Sequence, residues 1–500
     1  MKWAFALLCL TLLAPLTLVD VPPLLDYPNH LARAVVLASA GTDPILSSMY
    51  RPHWAIIPDL GIDLVLPPLL HVLPIHWAGR IVVGLTLLLP VVGAVAYSRS
   101  NFGVWSAWPL ASALVAYNAT FLLGFLNFVA GIGMALLFGA AWIAWRDRYP
   151  KLVAIIANVG TIALFFCHLM GLLFFCVLIA GYELQRLWTA RRKPVVVCGR
   201  LAIMVPMIAT PFALFLASPL ALLSNGIEWT SAVDKLRQLV LPFANYVLPI
   251  DIAAAGMVAG FLLVCCITRR CRITPASGVA IAVTTIGFIV APWAFKGTYF
   301  LDTRFVILLG FLLFAAIQPV RLTPWVSTLA TGLLAALFAI RMGIVGYAWH
   351  EHQRDITDMR AVIASVPPGA RVMVAAVTPA TAPEYWHRVP PSRMLSTGLE
   401  LDTHLPALLL IERRAYWPFL FDNPSQQPVE TLLPYKTLAE HADTVTNYRR
   451  LANLCGYDYM LLLDAGGEAD LAHFGADRLA LITQRDIAAL FRVRRSACLF

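Results

Sequence analysis

The chain reads as a polytopic α-helical membrane protein, about eleven transmembrane helices, followed by a C-terminal outward-facing α/β domain. Three observations point there. Of 500 residues, 60% are hydrophobic and only 13% charged, with a mean hydropathy of +0.75; a soluble domain carries about 25% charge. Apolar runs of bilayer-crossing length, about 17–25 residues, recur as far as residue 347. Beyond residue 348 the composition shifts to strand-like runs alternating with polar stretches.

The spans are read at 3–19, 80–97 (the best part of a longer stretch, 64–97), 104–120, 122–144, 152–167, 168–185, 195–217, 251–268, 274–294, 304–320 and 323–347. The run from Lys151 to Arg186 is too long for one helix and is split at His168. The opening MKWAFALLCL has a signal peptide's lysine and apolar core but no clean A-x-A cleavage site, so it reads as an uncleaved first helix. With Lys2 inside, every basic cluster between spans falls on the same side: Arg99, Arg146, Arg148, Lys151, Arg186, Arg191, Arg192, Lys193, Arg269, Arg270, Arg272 and Arg321. The N-terminus is therefore placed in the cytoplasm and the tail outside, with a bacterial inner membrane and a periplasmic tail as the setting. The net charge of +9 is a topology marker, and nucleic-acid binding has no support.

Residues 1–348 form the membrane domain with its outer loop 20–62, and residues 349–500 the soluble extracytoplasmic domain. In that tail VPPGARVMVAAV reads as a turn and a buried strand, YDYMLLLDAGG as a strand ending in a glycine turn, and DIAALFRVRRSACLF as a last strand. Leu433–Leu451 reads as helical. Most of the nine cysteines lie in apolar runs, where a thiol is usually a small hydrophobe. Cys455 and Cys498 lie in the polar tail, where a disulfide fits a location outside the cytosol.

The chemistry concentrates in the outer loops. In LLDYPNHLARAVVLA, proline favours the first turn of a helix, so a helix lying on the membrane surface begins near Pro28, with Leu31, Val35 and Ala38 as its apolar stripe. Asp26 precedes its N-terminus, where the helix dipole favours a carboxylate. His30 and Arg33 follow at helical spacing beside Asn29. Either the three charged residues make a cap, a surface imidazole and a headgroup contact, or they gather an acid, a base and a cation at one point. Asp59 and Asp63 lead into the next apolar run, where boundary acids are functional candidates; for Asp59 in particular, capping is the alternative. Lys296, Asp302 and Arg304 sit at the outer ends of two spans, where Arg304 snorkels to a headgroup, grips a lipid phosphate or forms a salt bridge with Asp302. His168 and Asn127 are isolated polar residues in apolar surroundings, structural or substrate-facing. SNGIEWTSAVDKLRQLV reads as an amphipathic cover, with Glu228 as a further acid. Asn118 opens an N-A-T sequon, but in a turn too short to give it weight.

The first outer loop, with its Asp-x-Pro-x-His-Leu stretch, the later Tyr50 and the Pro-Asp-Leu-Gly-x-Asp-Leu run before the next span, resembles the polytopic GT-C glycosyltransferases. The resemblance covers the whole layout, and its one local motif is Asp26–Arg33. It implies a GT-C-like fold and transfer of a sugar from a polyprenyl-phosphate donor, on the outer membrane face, to a glycan, lipid or protein acceptor. It also implies an acid in the first outer loop. In the commonest version two acids sit side by side; here Tyr27 holds the second place, against a paired-acid or metal-bridged mechanism. The tail has no WWDYG-like stretch.

On this reading Asp26 is the general base, with Asp59, Asp63 and Glu228 as candidate second acids. Arg304, Lys296, Arg33 and His168 are the donor-phosphate contacts, and His30, Asn29 and Asn127 support the substrate. No cluster has the ligand count of a metal site; no cofactor is expected, and a divalent metal stays an open requirement of the transfer. Membrane lipid is a partner in any case. The alternatives are a transporter or flippase of lipid-linked sugars, which places polar residues at the bilayer midplane, and a non-catalytic membrane scaffold.

Overall fold

The computed structural model describes residues 2–190, 202–223, 226–376, 390–440, 454–464 and 477–494. The main helices are α1 Lys2–Leu13, α2 Tyr27–Ala38, α3 Gly61–Leu70, α4 Ile75–Phe102, α5 Leu126–Trp145, α6 Pro150–Cys167, α7 Leu169–Ala190, α8 Val205–Ala217, α9 Ala232–Gln238, α10 Leu248–Ile267, α11 Pro275–Val290, α12 Leu301–Ala315, α13 Pro324–Ile363 and α14 Leu408–Arg413. Among the described residues, α4, α5, α6, α7, α10 and α13 are long and apolar enough to cross a bilayer, while α1, α3, α8 and α11 are shorter apolar helices.

Most expected spans reappear as helices shifted by a few residues, and the break at His168 is present between α6 and α7. Two differ in kind. The run 104–120 is not a span: it folds as a 3-10 helix, Trp108–Val115, and a single short turn, Ala119–Leu122. Asn118 divides them, because its buried carboxamide accepts from Phe121 N at 3.1 Å and from the Thr120 hydroxyl at 2.6 Å. That burial also closes the sequon to modification. The last span does not stop at 347. Helix α13 has 40 residues, about 60 Å against a hydrocarbon layer of about 30 Å. Beyond the apolar run it is carried by buried Ile356, Met359, Val362 and Ile363, spaced for one helical face.

The chain divides into two compact units. The first is residues 1–15, 55–62 and 81–346; the second is 16–54, 63–80 and 347–500. In the first, small residues let helices approach closely: a Cβ at Gly171 of α7 would lie 2.8 Å from Gly131 Cα of α5. Its buried charges are paired, as the cost of charge in hydrocarbon requires. Arg341 of α13 meets Asp251 of α10 at 2.6 Å, and Arg146 meets Glu183 at 3.3 Å between α5 and α7.

The second unit holds the mixed sheet. Strands β4 Val372–Ala376, β6 Tyr459–Leu463, β7 Leu479–Gln484 and β8 Ala488–Val493 lie in the order β4-β6-β8-β7. The β4–β6 pair is parallel and the others antiparallel. Every residue of β4 and β6 is buried, as strands covered on both faces require. The three strands expected from the tail sequence are among these. In the expected helix Leu433–Leu451 the described part is Tyr435–Glu440; residues 441–453 lie outside the described residues, as do Arg191, Arg192, Lys193 and the start of the expected span 195–217. Cys455 is disulfide-bonded, and Cys498 lies outside the described residues. A two-stranded ribbon joins β1 Tyr50–Pro52 of the outer loop to β5 Val429–Thr431 of the tail, with Tyr50 opposite Thr431.

The tail also buries a carboxylate cluster around one cation. Arg393 meets Asp355 at 2.6 Å, Asp464 at 3.1 Å and Asp486 at 3.1 Å. One guanidinium does not neutralise them all. Burial, then the charge of Asp464, holds Asp402 well above the usual carboxylate range. Burial, opposed by Arg393 and assisted by Glu400, pushes Asp464 up to about 7. A carboxyl raised on folding stabilises below its unfolded value of about 3.9 and loses that contribution as pH rises through the folded value. Asp402→Asn should therefore raise the melting temperature more at pH 8 than at pH 5, measured by thermal unfolding of the full chain in detergent.

Candidate functional site

The first group of residues lies in the second unit, around the N-terminus of α2. Pro28 opens that helix, but Asp26 does not cap it: its carboxylate makes no bond to the first-turn amides. Its Oδ1 lies 3.1 Å from Nδ1 of His404 in the tail. The His404 ring stands edge-on to Trp417 and Phe421, with centroids 6.0 and 5.1 Å away. Asp26 and His404 keep 16% and 18% of their side chains exposed, enough for a hydroxyl to reach the carboxylate. Asn29 is fully buried and clamps the same tail segment, donating to Phe419 O and accepting from Phe421 N, both at 2.9 Å. His30 packs its ring edge on Phe421 and lies 3.0 Å from Arg33.

Arg33 itself is turned inward. Its guanidinium meets Asp63 at the start of α3 through two bonds, Nε to Oδ1 at 2.6 Å and Nη2 to Oδ2 at 2.8 Å. Both side chains are buried to 1% exposure or less. The fork geometry of arginine suits this bidentate pairing. Asp63 therefore has both oxygens committed, and Arg33 acts here as its counter-ion.

A second charged group in the same unit ties the loop and helix ends together. Arg360 near the end of α13 bonds Asp20 at 2.7 Å and Glu412 of α14 at 2.9 Å, and His76 at the start of α4 meets Glu412 at 3.0 Å. Tyr27 of α2 lies against Gly79, where any side chain would overlap its hydroxyl. These contacts fix the platform from which Asp26, Asn29 and His30 project.

The other group lies in the first unit. Asn127 at the start of α5 holds the 59–62 segment, donating to Asp59 O at 2.7 Å and accepting from Ile62 N at 2.8 Å. Asp59 is held with φ +76°, a left-handed conformation that Asp tolerates better than most residues. His168 occupies the extended junction of α6 and α7, and its Nδ1 accepts from Met170 N at 3.0 Å. Phe128 packs against His168 at 5.4 Å between centroids. The Arg304 guanidinium lies over both Phe125 and Phe128, at 5.2 and 5.8 Å. The structure thus brings Asn127, His168 and Arg304 to one aromatic cluster. Arg304 follows Phe300, a bulky residue at φ +58°; such outliers gather at functional sites.

Lys296 and Glu228 are not in that cluster. The Lys296 ammonium is bonded to the carbonyls of Ala221 at 3.0 Å and Leu223 at 2.5 Å. Glu228 is exposed, and its backbone pairs with Trp293 and Ala294. The salt bridge considered for Asp302 forms with Lys235 at 3.5 Å, not with Arg304, and Asp302 also accepts from Thr230 at 2.5 Å. Among the described residues, no three His, Cys, Asp or Glu side chains converge on a point that could hold a metal ion.

His404, Trp417 and Phe421 are the site residues that sequence reasoning missed. Their only signal is the density of aromatics in YWPFLF, beside the polar DTHLP stretch. Asp302 was noted, but its partner Lys235 sits on a segment read only as a cover.

The fold of apolar helices and a small mixed sheet has counterparts among solved structures. Two solved structures share it across nearly the whole chain. ArnT from Cupriavidus metallidurans in its apo state matches with a TM-score of 0.50 at 12% identity, covering 99% of this chain and 98% of that one. ArnT from the same organism bound to undecaprenyl phosphate matches with a TM-score of 0.54 at 13% identity, covering 99% of both chains. At that identity the likeness is one of fold. No protein-family model matches the chain, and no curated protein matches its sequence.

The Arg33–Asp63 pair gives a direct test of the platform. Asp63→Asn leaves a buried guanidinium uncompensated and should cost about 3–5 kcal/mol. Replacing both partners, Arg33→Met with Asp63→Leu, should recover most of that loss. Thermal unfolding of the three proteins in one detergent reads it; equal stability of wild type and Asp63→Asn would remove the pair from its structural role.

Proposed function

We propose that this protein is a glycosyltransferase that moves a sugar from a polyprenyl-phosphate donor to an acceptor hydroxyl on the outer membrane face. The observation that carries the reading is the full-length likeness to ArnT, solved in one case with undecaprenyl phosphate. It is supported by a partly exposed acid, Asp26, that is not spent on capping its helix. In the transfer, the acceptor oxygen bonds to the anomeric carbon as its proton passes to Asp26. The bond from that carbon to the phosphate oxygen breaks, and the lipid phosphate leaves with its charge. His404 lies beside the Asp26 carboxylate, at 3.1 Å.

For the phosphate, Arg304 is the favoured cation. Its guanidinium rests on two phenyl faces, an arrangement that orients a planar fork suited to phosphate. His168 is assigned beside it. Lys296 is bound to carbonyls and Arg33 to Asp63, so both rank behind it. Of the second acids, Asp59 and Glu228 remain candidates, since Asp63 is neutralised by Arg33. The N-terminus is placed in the cytoplasm and the tail outside, on the basic-residue pattern alone.

The test is transfer of radiolabelled sugar from polyprenyl-phosphate donors by wild type, Asp26→Asn and Arg304→Ala, with donor binding measured in parallel. Asp26→Asn should lose about 10²–10⁴-fold in turnover and keep donor binding, whereas Arg304→Ala should lose donor binding. Equal transfer by wild type and Asp26→Asn would remove Asp26 from the chemistry and move the base to Asp59 or Glu228. Wild type that binds donor yet transfers nothing to any acceptor would overturn the enzyme reading in favour of transport or scaffolding.

A further inference from the structure

A pair of thiols lies at the C-terminal end of α10. Cys266 sits in the last turn of α10, and the chain reverses immediately after it. Arg269 N bonds Cys266 O at 3.0 Å, Arg270 N bonds Cys265 O at 2.6 Å, and Arg269 takes φ +55°. This left-handed ending closes the helix and turns the chain back on itself. Residues Cys271–Arg272 then form β2, which pairs antiparallel with β3, Gln318–Pro319, with Cys271 opposite Pro319. Val320 N adds a bond to Arg270 O at 2.8 Å. The two sulfurs, held by separate sets of backbone bonds, end 3.0 Å apart.

The surroundings favour reaction at this pair. Cys266 is exposed and Cys271 half-buried. Arg269, Arg270 and Arg272 flank them in sequence. Burial, then the Cys266 sulfur beside it, push the Cys271 thiol up to about 11. Cys266, the more exposed of the two, is the sulfur that a peroxide reaches first. Cys265, next in sequence, is buried.

We propose that Cys266 and Cys271 form a redox-active dithiol that a peroxide converts to an intramolecular disulfide, tying the end of α10 to the β2–β3 ribbon. The Cys266 sulfur attacks one peroxide oxygen; the S–O bond forms, the O–O bond breaks, and the departing hydroxide takes the thiol proton and leaves as water. The product is a sulfenic acid. The Cys271 sulfur then attacks the Cys266 sulfur, the S–S bond forms and the S–O bond breaks, and a second water leaves with the Cys271 proton. In total, two thiols lose two electrons and two protons, and one peroxide becomes two waters. This chemistry is independent of sugar transfer.

Trypsin reads the outcome directly, because it cleaves after Arg269 and Arg270, between the two cysteines, and again after Arg272. Full-length protein in detergent is treated with hydrogen peroxide, alkylated, digested and mapped by mass spectrometry with and without reductant. The expected result is a reducible link between the peptide ending at Arg269 and the Cys271–Arg272 dipeptide. It should persist in Cys265→Ser and be absent in Cys266→Ser. A link already present before peroxide counts the same way. Cys266 recovered as sulfinic or sulfonic acid with Cys271 free, a link that vanishes in Cys265→Ser, or two thiols untouched while other exposed groups oxidise, would each overturn the proposal. Fragmentation of the linked wild-type peptide between Cys265 and Cys266 assigns the partner without relying on a variant folding.

Discussion

The buried bidentate pair between Arg33 and Asp63 is the interaction on which the arrangement of the first loop depends. A carboxylate and a guanidinium this far from water are tolerated only with both oxygens and their opposing nitrogens engaged. That demand sets the rotation of α2 about its axis. With Arg33 turned inward, Asp26 and His30, seven and three residues earlier, are set toward the tail segment that carries His404 and Phe421. Asn29 completes the docking by satisfying two backbone groups of that segment. One ion pair therefore decides which polar residues of the loop are structural and which stay available.

The same distinction runs through the chain. Arg146 with Glu183, Arg341 with Asp251, and Asp302 with Lys235 are charges balanced within the fold. Lys296 is bonded to the carbonyls of Ala221 and Leu223. Asp26 differs, being paired with an imidazole yet partly open. The Arg304 guanidinium lies over two phenyl faces.

What could be read from the sequence was mostly what neighbouring residues decide. Length and apolarity marked the long helices. The break at His168 was legible because no helix of that length fits a bilayer. The three tail strands were legible from β-branched and aliphatic runs bounded by turn residues. The placing of Asn29 and His30 on a short helix just after Asp26 followed from spacing. What could not be read depended on partners distant in the chain. Nothing around Asp26 announces His404, and nothing around Arg33 announces Asp63. The run 104–120 misled because apolarity is shared by spans and by buried irregular backbone; only the hydrogen bonds of Asn118 distinguish them. The continuation of α13 past the membrane was masked by charges that, on one face, are spaced around buried Ile356 and Met359.

The β1–β5 ribbon places a demand on how the protein is made. Arg51 and Glu430, opposite each other in that ribbon, are 379 residues apart. At ribosomal rates of about 5–20 residues per second, the tail strand appears roughly 20–75 s after the loop strand. Through that interval the loop that carries Asp26 has a strand edge without its mate, while later helices are still being threaded into the bilayer. A nascent chain in that state offers its backbone to any passing strand, so timely delivery of the last hundred residues, rather than insertion of the helices, becomes the vulnerable step of its biogenesis.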